Sequence, residues 1–295
     1  MDTPGLGASV LLDPAAGLSV ALSGQKFSGD LARELAVARA IQQSLLPQQF
    51  PVAPGYGLAG FCQSAREVGG DFYDALPLGE GRVLLAVADV MGKGIPAALF
   101  AASLRMLVRS LAARQLSPAE LLTAINAQMY PELSSVDMFI TAQIAVADTK
   151  GGQLQVASAG HCPLLIADQL GETQCIAPEG LPLGIEQNAT FSEETIPLSA
   201  CHCALLYTDG LTEACDARGD LFGIERLEAW LSRSSTKNRT AVELKEDFLV
   251  ELRGFQGQTV NQDDLTLIVL AREGDLRLPR PGQARLELVL PGHES

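Results

Sequence analysis

Between residues 138 and 208 the chain passes through five apolar segments, 138–147, 154–158, 164–167, 190–198 and 203–208, with no helical periodicity between them. Segments of this length, alternating or continuously apolar, read as strands. Gly151-Gly152 and the stretch from Asp168 to Gly171 have the composition of hairpin turns. A chain committed to hairpins pairs its strands antiparallel and cannot wind them into an alternating β/α sheet. Further strands read at 56–62, 82–90 and 265–271. Helices come in pairs: about 95–113 and 117–129 before the hairpins, 223–233 and 240–253 after them. Ser117-Pro118-Ala119-Glu120 is a capping box with proline at the first helical position, and Thr240-Ala241-Val242-Glu243 opens the last helix. Strands in hairpin order with inserted helix pairs give an α+β fold. A hydrophobic content of 47% is ample for its core.

At 30–46, Leu31, Leu35, Ala38, Ile41 and Leu45 form a narrow seam like that of a coiled coil, and Pro47 ends it. This helix either packs on its own domain or serves as a homodimer seam or regulatory lever. The expected organisation is a tail or edge segment at 1–29, this helix at 30–47, a catalytic domain at 50–273 and a C-terminal tail at 274–295. Within that tail, 285–290 reads as a further strand or a linker. A net charge of −14 with no basic run argues against nucleic acid and anionic membrane surfaces as partners. No run of eighteen apolar residues predicts a membrane span, and the N-terminus lacks a basic leader. The six cysteines show no C-x-x-C spacing, which suits a reducing, cytoplasmic setting.

Acids stand where apolar strands end. Asp89 follows 84–88, Asp209-Gly210 follows 205–208, and Asp263-Asp264 precedes 265–269; Asp71 sits in the Gly69-Gly70 turn. Each alone reads as a turn or cap residue. If the strand ends converge, four or five carboxylates share one cleft, and they cannot all stay ionised without cations. Oxygen-only ligands select hard ions such as Mg²⁺ or Mn²⁺. A pair of such ions activates water and braces an in-line attack on phosphorus.

Competing motifs fail. Gly92-Lys93-Gly94 is no P-loop, because Val87 stands where its first glycine belongs and Gly94 where Ser or Thr belongs. Ser158-Ala159-Gly160-His161 lacks the G-x-S-x-G elbow and reads as a turn. Cys201-His202-Cys203 is too tight to chelate one zinc ion. No EF-hand loop exists.

The ordered set Val68–Asp74, Ala88–Ala98, Ser158–His161, Leu181–Gly184, Leu206–Ala214 and Asp263–Thr266 resembles the SpoIIE/RsbU-type serine phosphatases. These are the bacterial branch of the metal-dependent (PPM, type 2C) protein phosphatases. The resemblance runs from about residue 35 to 271 and takes in the lead-in Ala38, Ile41, Gln42, Leu45, Leu46 and Pro47. It implies an αββα four-layer sandwich, two antiparallel sheets flanked by helices. It implies two Mn²⁺ or Mg²⁺ ions, with Asp89 bridging, the Val90 carbonyl on one ion, Asp209 and Asp263 completing the other, and Asp71 as an outer acid. Asp89 and Asp209 would be the catalytic pair. Asp74 reads as structural, and Asp264 occupies a place where type 2C enzymes often have Asn. Arg66 would bind the substrate phosphate, with Lys93 as its rival; His161 is left open as a proton donor to the leaving oxygen. The implied reaction is attack of a metal-bridged hydroxide on a phosphoserine, and the implied partner is a phosphorylated STAS-domain anti-sigma-factor antagonist in a partner-switching pathway. The alternative is a catalytically weak binding module or scaffold in the same kind of pathway.

Overall fold

The computed structural model describes residues 14–273, with side chains from residue 30 onward. Its strands are β1 (Tyr56–Gln63), β2 (Phe72–Gly79), β3 (Arg82–Val90), β4 (Ile140–Asp148), β5 (Gln153–Ala159), β6 (Leu164–Ala167), β7 (Thr173–Ile176), β8 (Glu193–Pro197), β9 (Cys203–Tyr207) and β10 (Leu265–Arg272). The helices are α1 (Pro14–Leu45), α2 (Ile95–Ala112), α3 (Pro118–Ser135), the short α4 (Gly210–Glu213), α5 (Gly223–Ser235) and α6 (Ala241–Gln256). Two five-stranded antiparallel sheets form, in the orders β1-β10-β9-β6-β7 and β2-β3-β4-β5-β8.

Side-chain alternation explains why the central strands are apolar throughout. On β3, Leu84, Ala86 and Ala88 face a core shared with α2 and α3, whereas Val83, Leu85 and Val87 face the other sheet. On β10, Leu267 and Val269 pack under α5 and α6, and Ile268 and Leu270 point between the sheets. Both faces of each sheet are covered, which yields the expected αββα sandwich. By length and composition α2, of mean hydropathy 1.4, could cross a membrane. Here its Ala97, Ala101, Leu104, Val108 and Leu111 are buried, and Arg105 and Arg109 interrupt its apolar run.

Several elements differ from expectation. The first helix begins at Pro14, inside the stretch read as tail or edge, and proline is well suited to a helix start. Strand β2 escapes a reading of polarity, since it contains Asp74 and Pro77. Asp74 is buried and neutralised: Arg109 donates to both of its oxygens at 2.6 and 2.9 Å, and Arg105 Nε lies at an ion-pair distance of 3.3 Å. Pro77 is tolerated because β2 is an edge strand with a register shift between Pro77 and Gly79. The four-residue β7 is too short and too polar to signal a strand in the sequence, and α3 continues past Pro131 to Ser135. The capping box at Ser117 forms as expected, and a second forms at Thr240. The stretch 285–290 lies outside the described residues.

Candidate active site

Period-two alternation places Asp71, two residues before Tyr73, and Asp89, two after Val87, on the side of their strands that faces the other sheet. Asp209 follows β9 by two residues, and Asp263 precedes β10 by two. One sheet thus supplies Asp71 and Asp89 and the other supplies Asp209 and Asp263, at the end of the layer between them. The junction is tied directly: Thr208 Oγ1 donates to Asp71 Oδ2 at 2.7 Å, across the two sheets.

These carboxylates feel one another. Burial, then Asp209, then Asp263 push the Asp89 carboxyl up to about 7. Burial, Asp89 and Asp264 hold Asp71 well above the usual range, against the opposing Thr208 bond. Asp209 is raised by burial and by Asp263, and the Gly210 N–H and Lys93 oppose the rise. Glu213, on α4, is raised by burial and by the same two acids, so it borders the site. Lone acids in turns would not show this mutual effect; converging ones do.

Backbone shapes the rest of the site. Val90 N–H donates to the Gly70 carbonyl at 3.4 Å, and a Cβ on Gly70 would sit 2.7 Å from the Val90 carbonyl oxygen. Only glycine allows that carbonyl to lie so close to the turn carrying Asp71. Gly92 and Gly94 adopt φ of 86° and 82°, a region other residues avoid, so Gly92-Lys93-Gly94 bends sharply before α2. The bend aims Lys93 at the opposite sheet, where its Nζ pairs with Asp263 Oδ2 at 2.8 Å and donates to the Gln262 carbonyl. Arg66 is exposed, and its Nη1 reaches to 4.0 Å from where a Gly94 Cβ would stand. Lys93 therefore flanks the acids, and Arg66 stands beside the glycine turn that carries Lys93. Lys93 is engaged with Asp263, and Arg66 has no ion pair among the described residues.

Three residues left open by the sequence gain definite surroundings. Asp264 is buried: its Oδ1 accepts from Ala65 N–H at 2.7 Å, and its Oδ2 from Gly70 N–H at 2.8 Å and Asp71 N–H at 3.3 Å. It braces the turn that carries Asp71. Asp74 holds α2 against β2, away from this junction. His161 Nδ1 lies 2.8 Å from the hydroxyl of Thr141, the residue paired with Asp89 across β3 and β4. Burial pushes the ring down to about 4, which favours the neutral imidazole over the imidazolium at pH 7. Thr208 and Glu213 stand inside a motif that the sequence singles out for Asp209, and nothing in spacing alone separates them from turn residues.

Among the described residues no three His, Cys, Asp or Glu side chains stand together as a preformed ligand set. In chemistry the donors fit hard divalent cations: three carboxylates whose charges oppose one another and a main-chain carbonyl beside them, with no thiol or imidazole donor proposed. A cation entering here would relieve the repulsion that raises Asp89 and Asp209.

A family model described as Stage II sporulation protein E (SpoIIE) matches residues 79–273. Phosphoserine phosphatase RsbU of Bacillus subtilis is 29% identical over 245 residues, covering 83% of this chain and 71% of that protein. Protein IcfG of Synechocystis sp. is 27% identical over 266 residues, 81% of this chain but 41% of its own length, so this chain spans under half of that relative. The solved SiaA-PP2C domain of Pseudomonas aeruginosa superposes with a TM-score of 0.72 at 25% identity, covering 84% of this chain and 98% of that one.

Proposed function

The chain belongs to the SpoIIE family, and from that premise we propose that it is a metal-dependent protein serine/threonine phosphatase acting in a partner-switching pathway. The observation that carries this reading is the junction of the two sheets, where the Thr208 hydroxyl beside Asp209 donates to Asp71 and where Asp209 and Asp263 help raise Asp89. Asp89, Asp209, Asp263 and the Val90 carbonyl would hold two Mn²⁺ or Mg²⁺ ions, with Asp71 as an outer acid. When bound, the ions supply the positive charge that activates water and neutralises the phosphate.

The chain's own residues do the remaining work. Thr208 orients the Asp71 carboxylate across the sheet junction. Asp264 fixes the turn beneath it. Arg66 has the exposure and the planar donors to grip two phosphate oxygens, and Lys93 borders the same opening. Burial and the neighbouring acids raise the Asp89 carboxyl to about 7, so holding a cation there would require it to give up that proton. The substrate proposed is the phosphoserine of a STAS-domain antagonist protein.

Purified full chain with Mn²⁺ is expected to hydrolyse p-nitrophenyl phosphate and to remove phosphate from a phosphorylated STAS-domain protein. Asp89→Ala and Asp209→Ala are each expected to abolish both activities. Full activity in excess EDTA overturns the metal-dependent reading. Hydrolysis of the small ester without any action on phosphorylated STAS proteins overturns the substrate assignment alone.

A further inference from the structure

The turn Gly69-Gly70-Asp71 has three tethers. Asp264 accepts from Gly70 and Asp71, and Val90 donates to Gly70. The third comes from outside the sandwich. Gln42, on the last turn of α1, donates from Nε2 to the Gly69 carbonyl at 2.7 Å and accepts at Oε1 from the Gly69 N–H at 3.1 Å. One side-chain amide thus satisfies both main-chain groups of a single residue, as a neighbouring strand would. Glycine is required at 69 because a Cβ there would run into the Asp264 carboxylate and come within 2.8 Å of Ser64 Oγ.

Among the described side chains of α1, other holds are few. Val37 and Ile41 are each 56% exposed. Its Ala38, Ile41 and Leu45 border an apolar cavity of about 220 Å³ shared with Ile95 and Leu99 of α2, and Asp71 also lines that cavity. A helix that leaves a cavity between itself and its neighbour gains little positional certainty from packing. The paired hydrogen bonds of Gln42 are directional, and they fix the register of α1 against the turn.

We infer that Gln42 is a positioning residue for the active site: by gripping both main-chain groups of Gly69 it sets where Asp71 presents its carboxylate, and thereby sets the affinity for divalent cations. This inference rests on Asp71 serving the cation site as proposed above. A purely structural glutamine would alter stability and leave cation affinity alone.

The test is calorimetric titration of the full chain with Mn²⁺ in five forms: wild type, Gln42→Ala, Gln42→Met, Asp71→Asn and the Gln42→Ala/Asp71→Asn double variant. Methionine keeps length and volume and removes both hydrogen bonds, so it separates the clamp from packing. Losing one or two net hydrogen bonds at the turn predicts Mn²⁺ binding weaker by about 5- to 30-fold in both Gln42 variants. Their melting points in EDTA should stay close to wild type, and the Gly69 amide should exchange hydrogen faster. In the Asp71→Asn background the same change should cost less than about 2-fold, because coupled residues are non-additive. Wild-type affinity in Gln42→Met, or the full loss repeated in the double variant, overturns the positioning role while Asp71→Asn remains weak. Wild-type affinity in Asp71→Asn instead removes the cation role of Asp71, and the inference falls with it.

Discussion

Asp264→Asn sets two effects of this structure against each other. The carboxylate now accepts three main-chain N–H groups: Ala65 on one oxygen, Gly70 and Asp71 on the other. Asparagine has one oxygen. Its best placement keeps Gly70 and Asp71 and turns the amide nitrogen toward the Ala65 N–H, donor against donor. An unmet buried donor costs about 1–3 kcal/mol, and the two remaining bonds lose their charge assistance. Against this, the substitution removes a negative charge that raises both Asp71 and Asp89. That gain is the smaller one, because Asp264 ranks behind burial and behind other acids as a cause of either shift. The gain also vanishes once Asp71 is protonated. The expected net loss at pH 6 in EDTA is about 2–4 kcal/mol, or a melting point lower by roughly 5–15 °C for a domain of this size. Urea and thermal melts followed by circular dichroism measure it, and hydrogen exchange should show the Ala65 amide opening first. Unchanged or higher stability would mean that charge relief outweighs the main-chain brace, and the role assigned to Asp264 would be wrong. Type 2C enzymes often have Asn at this place, so the outcome depends on the Ala65 contact made in this chain.

Asp74→Ala strands the largely buried Arg105 without its carboxylate, which should cost about 3–5 kcal/mol in a urea melt; a wild-type midpoint refutes the neutralised-pair account of β2. Gly70→Ala places a methyl 2.7 Å from the Val90 carbonyl oxygen, so Mn²⁺ affinity measured by calorimetry should fall by about tenfold or more while the far-ultraviolet spectrum stays native. Asp89 is raised from its ordinary value to about 7, so the folded protein keeps a proton that the unfolded chain loses; the contribution of this group to stability in EDTA should be fully present below about pH 4 and be lost as pH rises through 7, by at most roughly 4 kcal/mol, read as the difference between wild type and Asp89→Asn across that range. Saturating Mn²⁺ should flatten that decline, and binding at pH 6 should release a proton detectable from buffer-dependent heats. Asp71→Asn keeps an oxygen for the Thr208 hydroxyl and removes a buried charge, so in EDTA at pH 8 it should match or exceed wild-type stability by thermal melt, with the gain shrinking at pH 5; a clear loss at pH 8 counts against Asp71 as a costly charge.

The central strands are legible in the sequence because both of their faces are covered. β3, β4, β9 and β10 are apolar because each lies between a helix layer and the opposite sheet. β2 was illegible because its polar residue is matched from 31 and 35 positions away, by Arg105 and Arg109 of α2. Local pattern cannot reveal a charge that is neutralised only in the folded state. The acids at strand ends were legible individually, since an apolar run closed by an aspartate is an unusual arrangement to bury. Their convergence followed from the family resemblance, because it depends on strand order: β3 belongs to one sheet, β9 and β10 to the other. Asp264 illustrates the limit. Adjacent to Asp263 and chemically identical, it turns inward to main-chain donors while Asp263 turns toward Lys93. One residue of strand phase separates a brace from a ligand candidate.

The placement of the acids also explains how the fold carries them. The inter-sheet layer grades from apolar residues such as Val87 and Leu206, through buried Thr208 and Thr266, to the carboxylates at its end. The threonines supply hydroxyls where the layer becomes polar, and Thr208 already spends its donor on Asp71. Beyond them, among the described residues, Lys93 is paired with Asp263 and Arg66 stands on the solvent side near Gly94. Neither neutralises Asp89, whose shift toward neutrality has burial and its fellow acids as its main causes. The sandwich therefore folds with an uncompensated charge demand at one end of its central layer. A divalent cation that meets that demand binds the folded state alone, because the donors come from strands that only folding brings together. Cation concentration then adds RT ln(1 + [M]/Kd) to stability, about 2.7 kcal/mol at one hundred times Kd. Every variant that weakens the cradle should lose both activity and this metal-dependent increment in proportion, whereas a variant of Arg66 should lose activity and keep the increment.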